Sequence, residues 1–275
     1  MNLFLIIHNS WSDSMNIINR NKDAAIGFFD SGVGGLSVLR EAIKLLPKEN
    51  FIYFGDSKNA PYGTKSVEDV QKLTFAAVDL LLSKGVKTIV IACNTATSAS
   101  IDDLRTFYPH IPIIGIEPAL KPAVELKRPG KILIMATPVT LTEKKFHNLM
   151  MYFNKDSDII PLPCPGLAEL VESGKIKGYE IKHFLEEKLE PFKNDSIASI
   201  VLGCTHYPFI KVELSSIVGC DIPIIDGSSG TSRQLRRQLL TSELISDRSV
   251  NGTVEILNSL NSSDIIDLSY RLLNE

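Results

Sequence analysis

The segments IVIACNTATS (89–98) and IVLGCTHYPF (200–209) decide how this chain folds. Each runs from a β-branched apolar stretch through one small residue to a cysteine, a small polar pair and the start of a helical pattern. A short apolar run passing directly into a helix-period stretch marks a parallel strand feeding its crossover helix. The same plan occurring twice points to two related α/β units. Further strand-like runs surround the first segment at AAIGFF (24–29), FIYF (51–54) and IPIIGI (111–116). Others surround the second at KILIMA (131–136), SDIIPL (157–162) and IPII (222–225), with TVEILN (253–258) near the end. Helical patterns separate them at 35–46, 66–84, 96–107, 140–152, 178–189, 208–218, 229–241 and 263–273. Continuous apolar strands alternating with helices are covered on both faces. The expected fold is therefore α/β: two related doubly wound domains with mainly parallel sheets and the active site in the cleft between them. EPALKP (117–122) and DGSSG (226–230) look like crossings between the units. They predict a first domain of 24–117 plus 227–275, a second of 118–226, and a flexible tail over 1–23.

Length and composition fit this. At about 150 residues per domain, the chain of 275 residues has room for two. Hydrophobic residues at 44% and charged residues at 22% are ordinary for a globular protein and exclude wholesale disorder. Lys plus Arg is 29 against 32 for Asp plus Glu, so a net charge of −3 gives no reason to expect nucleic acid or an anionic membrane as partner. The densest basic spot, Arg233, Arg236 and Arg237, reads as a solvated helix face. No apolar run approaches the roughly 18 residues of a spanning helix. The apolar patch Leu3 to Ile7 lacks the basic start and cleavage site of a signal peptide, and Met15 is a second candidate start. A cytoplasmic protein is expected.

The four cysteines, at 93, 164, 204 and 220, form no CxxC or zinc-ribbon spacing and should be free thiols. Open parallel sheets bind ligands beyond the carboxyl ends of their strands. FDSGVGGLS (29–37) falls there: Asp30 and Ser31 end a strand, and Gly32, Gly34 and Gly35 let backbone approach a ligand. A dinucleotide fingerprint would need glycine where Ser37 stands, although Asp56 sits where a ribose-binding acid could. A nucleotide-binding module stays open as a reading of another class. Cys93, followed by Asn94 and Thr95, and Cys204, followed by Thr205 and His206, each precede a helix, whose N-terminus should lower the thiol pKa. Cys164 and Cys220 lack that setting and read as ordinary buried thiols.

Two such thiols could form a disulfide, if their Cα atoms lay within about 7 Å. Cys204 with His206 could make a thiol hydrolase, which leaves Cys93 idle. The third reading is proton exchange at one carbon held between two acid–base groups, and it uses both thiols. One thiolate removes a proton from one face while the other thiol delivers one to the opposite face. Asp30 could then assist one thiol and His206 the other. Asn94, Thr95, Thr205 and backbone N–H groups would meet the developing carboxylate charge. A metal is not expected, because Cys204-x-His206 lacks a second close ligand pair.

FFDSGVGGLSVL (28–39), GDSKNAPYGTKS (55–66), ACNTATS (92–98), ATPVTLTEKKF (136–146) and LGCTHYP (202–208), in this order, resemble glutamate racemase of the aspartate/glutamate racemase superfamily. The resemblance runs from about residue 24 to the end. It implies interconversion of L- and D-glutamate for peptidoglycan synthesis, with no cofactor. It further implies Cys93 and Cys204 as the acid–base pair, Asp30 as a catalytic helper and substrate contact, and Ser31 as a second contact. Tyr62, Gly63, Asn94, Thr95, Thr205 and His206 complete the implied glutamate-binding set, with Thr137 and Thr140 near the substrate. A family glutamate that tunes the second thiol matches Glu172 within CPGLAELVESG, with Glu169 as its rival. Aspartate racemase is the nearest alternative, but its second motif has Glu where this chain has His206. Some family members are homodimers, so glutamate and a second copy are the expected partners.

Overall fold

The computed structural model describes residues 21–142, 144–153 and 158–275. Most of the expected N-terminal tail, residues 1–20 with Met15, lies outside them. Among the described residues the strands are β1 (Ile26–Asp30), β2 (Phe51–Gly55), β3 (Thr88–Ile91) and β4 (Ile113–Gly115). They continue with β5 (Lys131–Ala136), β6 (Asp158–Pro163), β7 (Ile197–Leu202), β8 (Ile224–Asp226) and β9 (Val254–Asn258). Each falls on a run read from the sequence; the edge strands β6 and β9 expose part of their length, whereas continuous apolar runs in the middle of a sheet are buried from both sides. β1 and β3 are fully buried along their length.

Two sheets result, both entirely parallel, in the orders β4-β3-β1-β2-β9 and β6-β5-β7-β8. Each starts in its middle: the second strand pairs on one side, and the third and fourth follow on the other. The strand order therefore reverses beside β1 and β3 in the first sheet, and beside β5 and β7 in the second. Cys93 and Cys204 lie just past β3 and β7, the third strand of each sheet. The sequence echo is thus a topological equivalence.

The helices in the first half are α1 (Leu36–Leu45), α2 (Val67–Ser83), α3 (Asn94–Phe107), α4 (Leu120–Glu125), α5 (Pro138–Thr142) and α6 (Lys144–Phe153). Then follow α7 (Leu167–Glu172), α8 (Tyr179–Leu189), α9 (Lys211–Val218), α10 (Ser228–Thr241) and α11 (Ser263–Asn274). α10 and α11 pack against α1, on the first sheet. Several expectations need correcting. The helix expected over 140–152 is met by α5 and α6, which flank residue 143 outside the described residues, whereas α4 begins inside the segment read as a crossing. The sequence pattern gives no sign of α7. At six residues, α4 and α7 complete fewer than two turns and show no period. α3 starts two residues before the expected position because the Cys93 sulfur caps it, accepting from Ala96 N at 3.4 Å. The two passages between the sheets run side by side. A Cβ on Gly227 would fall 2.6 Å from the Glu117 carbonyl oxygen, so only glycine fits there.

At the amino ends of the first sheet's strands, Lys87 is wholly buried beside Glu49. Its ammonium donates to the Glu49 carboxylate and to the Lys22 carbonyl, which ties residues 21–23 to the sheet. Glu49 Oε1 also accepts from Ser246 N at 2.8 Å. Burial pushes the Lys87 pKa below its ordinary value, while Glu49 opposes that shift. Removing one member of a buried pair strands the other charge. Lys87→Met should cost about 3–5 kcal/mol in urea unfolding, and adding Glu49→Gln should recover part of it.

Candidate active site

Both thiols open into one cavity of about 340 Å³, at the carboxyl ends of the strands of the two sheets. Its walls hold Cys93 and Cys204 together with Thr95, Thr137, His206 and Glu172. No Lys or Arg is among the described residues that line it. A ligand carboxylate there must be met by hydroxyl, amide and imidazole groups.

Cys93 is buried where β3 gives way to α3. Besides capping the helix, its thiol donates to Ser31 Oγ at 3.5 Å. The expected lowering of its pKa is not what the site produces. Burial pushes the Cys93 thiol up to about 12, and the neighbouring Asp30 carboxylate adds to the rise. Ser31 and the Ala96 amide pull the other way and are outweighed. One helix N-terminus cannot offset loss of solvation together with a buried carboxylate. Asp30 itself is wholly buried and accepts from Gly32 N and Thr205 Oγ1, both at 2.9 Å. Burial raises its pKa, while His206 and these donors oppose the rise. Since Asp30 ends β1 and Thr205 follows β7, their hydrogen bond joins the two sheets.

On the other side, Cys204 Sγ lies 3.6 Å from His206 Nδ1, and His206 Nε2 donates to Glu172 Oε1 at 2.5 Å. Burial disfavours the His206 cation. The Cys204 sulfur and the Glu172 carboxylate overcome this and hold its pKa well above the ordinary histidine value. Burial likewise disfavours the Glu172 anion. Hydrogen bonds from His206, Val33 N and Ser57 Oγ hold its carboxyl below the usual range all the same. Glu169, the rival in sequence, also lines the cavity, but it is exposed, and it is Glu172 that bonds His206.

The glycines of the DSGVGG segment make room for this pair. A Cβ on Gly32 would stand 1.8 Å from Glu172 Oε1, and one on Gly34 would stand 2.4 Å from His206 Nδ1. The space a nucleotide phosphate would need is filled by the protein's own side chains. Asp56, the ribose-acid candidate, is engaged by Tyr62 OH at 2.7 Å and by Asn59. The nucleotide-binding alternative fails on both counts.

Thr95 Oγ1, Thr137 Oγ1 and Thr140 Oγ1 form a closed triangle of 3.0, 3.1 and 3.3 Å that bridges α3 and α5. Gly63 packs on Thr137, where a Cβ would approach to 2.6 Å. Asn94 is buried in the wall, and its Oδ1 has no hydrogen-bond partner. Tyr62 lines the same wall, with burial and Asp56 raising its pKa. Cys164 is a free buried thiol, as the sequence suggests, but its setting differs from the expected one. It follows β6, reaches the cavity wall and donates to Leu162 O at 3.3 Å. Cys220 is exposed rather than buried, and all four thiols are free.

A profile of the Asp/Glu/Hydantoin racemase family matches residues 31–234. The chain belongs to this family. A glutamate racemase of Clostridium novyi is 63% identical over 249 residues, covering 90% of this chain and 96% of that protein. Among solved structures, a glutamate racemase isoform of Bacillus anthracis superposes with a TM-score of 0.81 at 30% identity, covering 93% of this chain and 96% of that one. The glutamate racemase of Francisella tularensis, in complex with D-glutamate, gives 0.80 at 29%, covering 92% and 95%. The glutamate racemase resemblance read from the motifs is thus borne out at the level of family and fold.

Several residues that build this cavity carry no signal in the sequence. Ser57 lies in the polar loop already singled out, though nothing marked it within that loop. Leu260 and Ile265 reach the cavity wall from the far end of the chain. Among the described residues there is no cluster of metal-ligating side chains, and no helix is long and apolar enough to cross a membrane.

The Glu172–His206 pair sets a pH dependence of stability. A depressed Glu172 pKa contributes above its unfolded value, and that contribution is lost as pH falls through the folded value. A raised His206 pKa contributes below its unfolded value and is lost as pH rises through the folded one. Urea titrations across pH should show both limbs. Glu172→Gln should remove the acid limb and shrink the alkaline one. Gly34→Ala should displace the ring, and the His206 titration followed by NMR should drop toward about 6.5.

Proposed function

We propose that this chain interconverts L- and D-glutamate without a cofactor, using Cys93 and Cys204 as the acid–base pair. The observation that carries this is the shared cavity: two thiols at equivalent strand ends of two like sheets open on one small space. For one enantiomer, the Cys93 thiolate takes the Cα proton. An S–H bond forms, and the C–H electron pair delocalises into the substrate carboxylate. Cys204 then gives its proton to the opposite face and is left as the thiolate. The mirror substrate runs the same steps with the roles exchanged.

With its pKa pushed up to about 12, the Cys93 thiol holds its proton. The substrate supplies the missing charge. Its ammonium, entering beside Asp30 and the unpartnered Asn94 Oδ1, offsets the negative field that holds the thiol protonated. Ser31, Thr95, Thr137, Thr140, Thr205 and the Tyr62–Gly63 turn bind the two carboxylates through neutral donors. His206, held by Glu172, exchanges charge with Cys204. The units are residues 24–117 with 227–275, and 118–226, and the site lies in the cleft between them. On the family's pattern, the protein is a cytoplasmic homodimer whose D-glutamate feeds peptidoglycan synthesis.

Circular dichroism of L-glutamate with purified protein and no added cofactor should decay to zero ellipticity, and in D2O deuterium should appear at Cα. Cys93→Ala and Cys204→Ala should each lower turnover about 10²–10⁴-fold in both directions. Unchanged rates in either variant, or preferential turnover of aspartate, would overturn the mechanism or the substrate respectively.

A further inference from the structure

The hydrogen-bond chain of the second thiol does not stop at Glu172. Glu172 Oε2 accepts from Ser57 Oγ at 3.1 Å, and Ser57 Oγ accepts from Asn258 Nδ2 at 2.9 Å. Asn258 is buried at the end of β9, the last strand. Its Oδ1 is already used by Leu260 N at 3.0 Å, so its NH2 group must face Ser57. A hydroxyl carries a single proton. With Asn258 donating into a lone pair, Ser57 keeps that proton for Glu172. The arm is tightly seated: a Cβ on Gly55 would come 3.0 Å from Asn258 Nδ2. The turn beyond is tied by Ser259 N to Gly55 O at 3.0 Å and by Lys58 N to Ser259 Oγ at 2.9 Å.

We propose that Asn258 is a positioning residue for Cys204: through Ser57 it fixes Glu172 against His206 and so sets proton transfer at the second thiol. This rests on the two-thiol mechanism proposed above. Cys93 takes no part in the arm, since its hydrogen bonds go to Ser31 and the Ala96 amide. The C-terminal segment is therefore part of the site twice over, with Leu260 and Ile265 in the wall and Asn258 behind the catalytic pair.

Asn258→Asp separates this role from a structural one. It keeps an oxygen for Leu260 N but replaces the donor with an acceptor, which draws the Ser57 proton away from Glu172. The variant should lower kcat/KM about tenfold, equally for both enantiomers because mirror-image substrates are equal in energy. The decisive readout is the isotope effect on kcat/KM with Cα-deuterated L- and D-glutamate. A higher barrier at Cys204 raises it for the enantiomer that Cys204 deprotonates. It lowers it for the other, where reprotonation by Cys204 becomes limiting. Ser57→Ala, which leaves the Leu260 turn intact, should give the same opposed shifts and carries the test if Asn258→Asp fails to fold. Activity within twofold of the parent protein, or isotope effects that move together, would overturn the proposal. If the parent protein does not racemise glutamate, the two-thiol mechanism itself fails and the Asn258 role falls with it.

Discussion

Glu172 takes hydrogen bonds from the Val33 amide, the Ser57 hydroxyl and the His206 ring, and those three donors come from both sheets. A carboxylate mostly withdrawn from water is tolerable only when its oxygens are paired in this way. Each partner must therefore be delivered at short range, and much of the surrounding structure follows from that need. The loop after β1 must lie flat against the pair, which leaves no space for a Cβ at Gly32 or Gly34. Tyr53 OH donates to Gly32 O at 2.6 Å and Ser37 Oγ to Thr205 O at 2.9 Å, so the loop is pinned from below and from the opposite sheet. Loss of any one bond leaves part of a largely buried charge without a partner.

The scaffold is nearly symmetric and the chemistry on it is not. Both thiols follow the third strand of a sheet, the first four strands of each sheet being arranged alike, and both line one cavity. Their partners differ. Cys93 has a hydroxyl, a helix amide and a nearby buried carboxylate, an environment that keeps the thiol protonated. Cys204 has an imidazole whose charge is backed by a carboxylate. Two mirror-image substrates are equal in energy, but the two faces of the bound carbon meet different groups. On the proposed mechanism, equal overall reactivity comes from different local means at the two thiols.

Both sheets, all nine described strands and the equivalence of the two cysteines were legible in the sequence, as was the family. These depend on local pattern: a strand buried on both faces must be apolar throughout, and a strand end that feeds a helix must show small and polar residues at once. What could not be read was which side chains meet. Val33 and Glu172 are 139 positions apart, and Ser57 and Asn258 are 201 apart. Glu172 rides on a helix too short to show a period, and Asn258 ends a strand like any other polar residue. The raised Cys93 pKa is invisible in the sequence for the same reason. The helix N-terminus is local and visible, whereas burial and the field of Asp30 arise only once the strands are side by side. Sequence determined the elements and their order, because those follow from each segment's own need to hide apolar surface. Tertiary structure alone decided the charge states and the hydrogen-bond chain, because those depend on distances between segments that the chain itself keeps far apart.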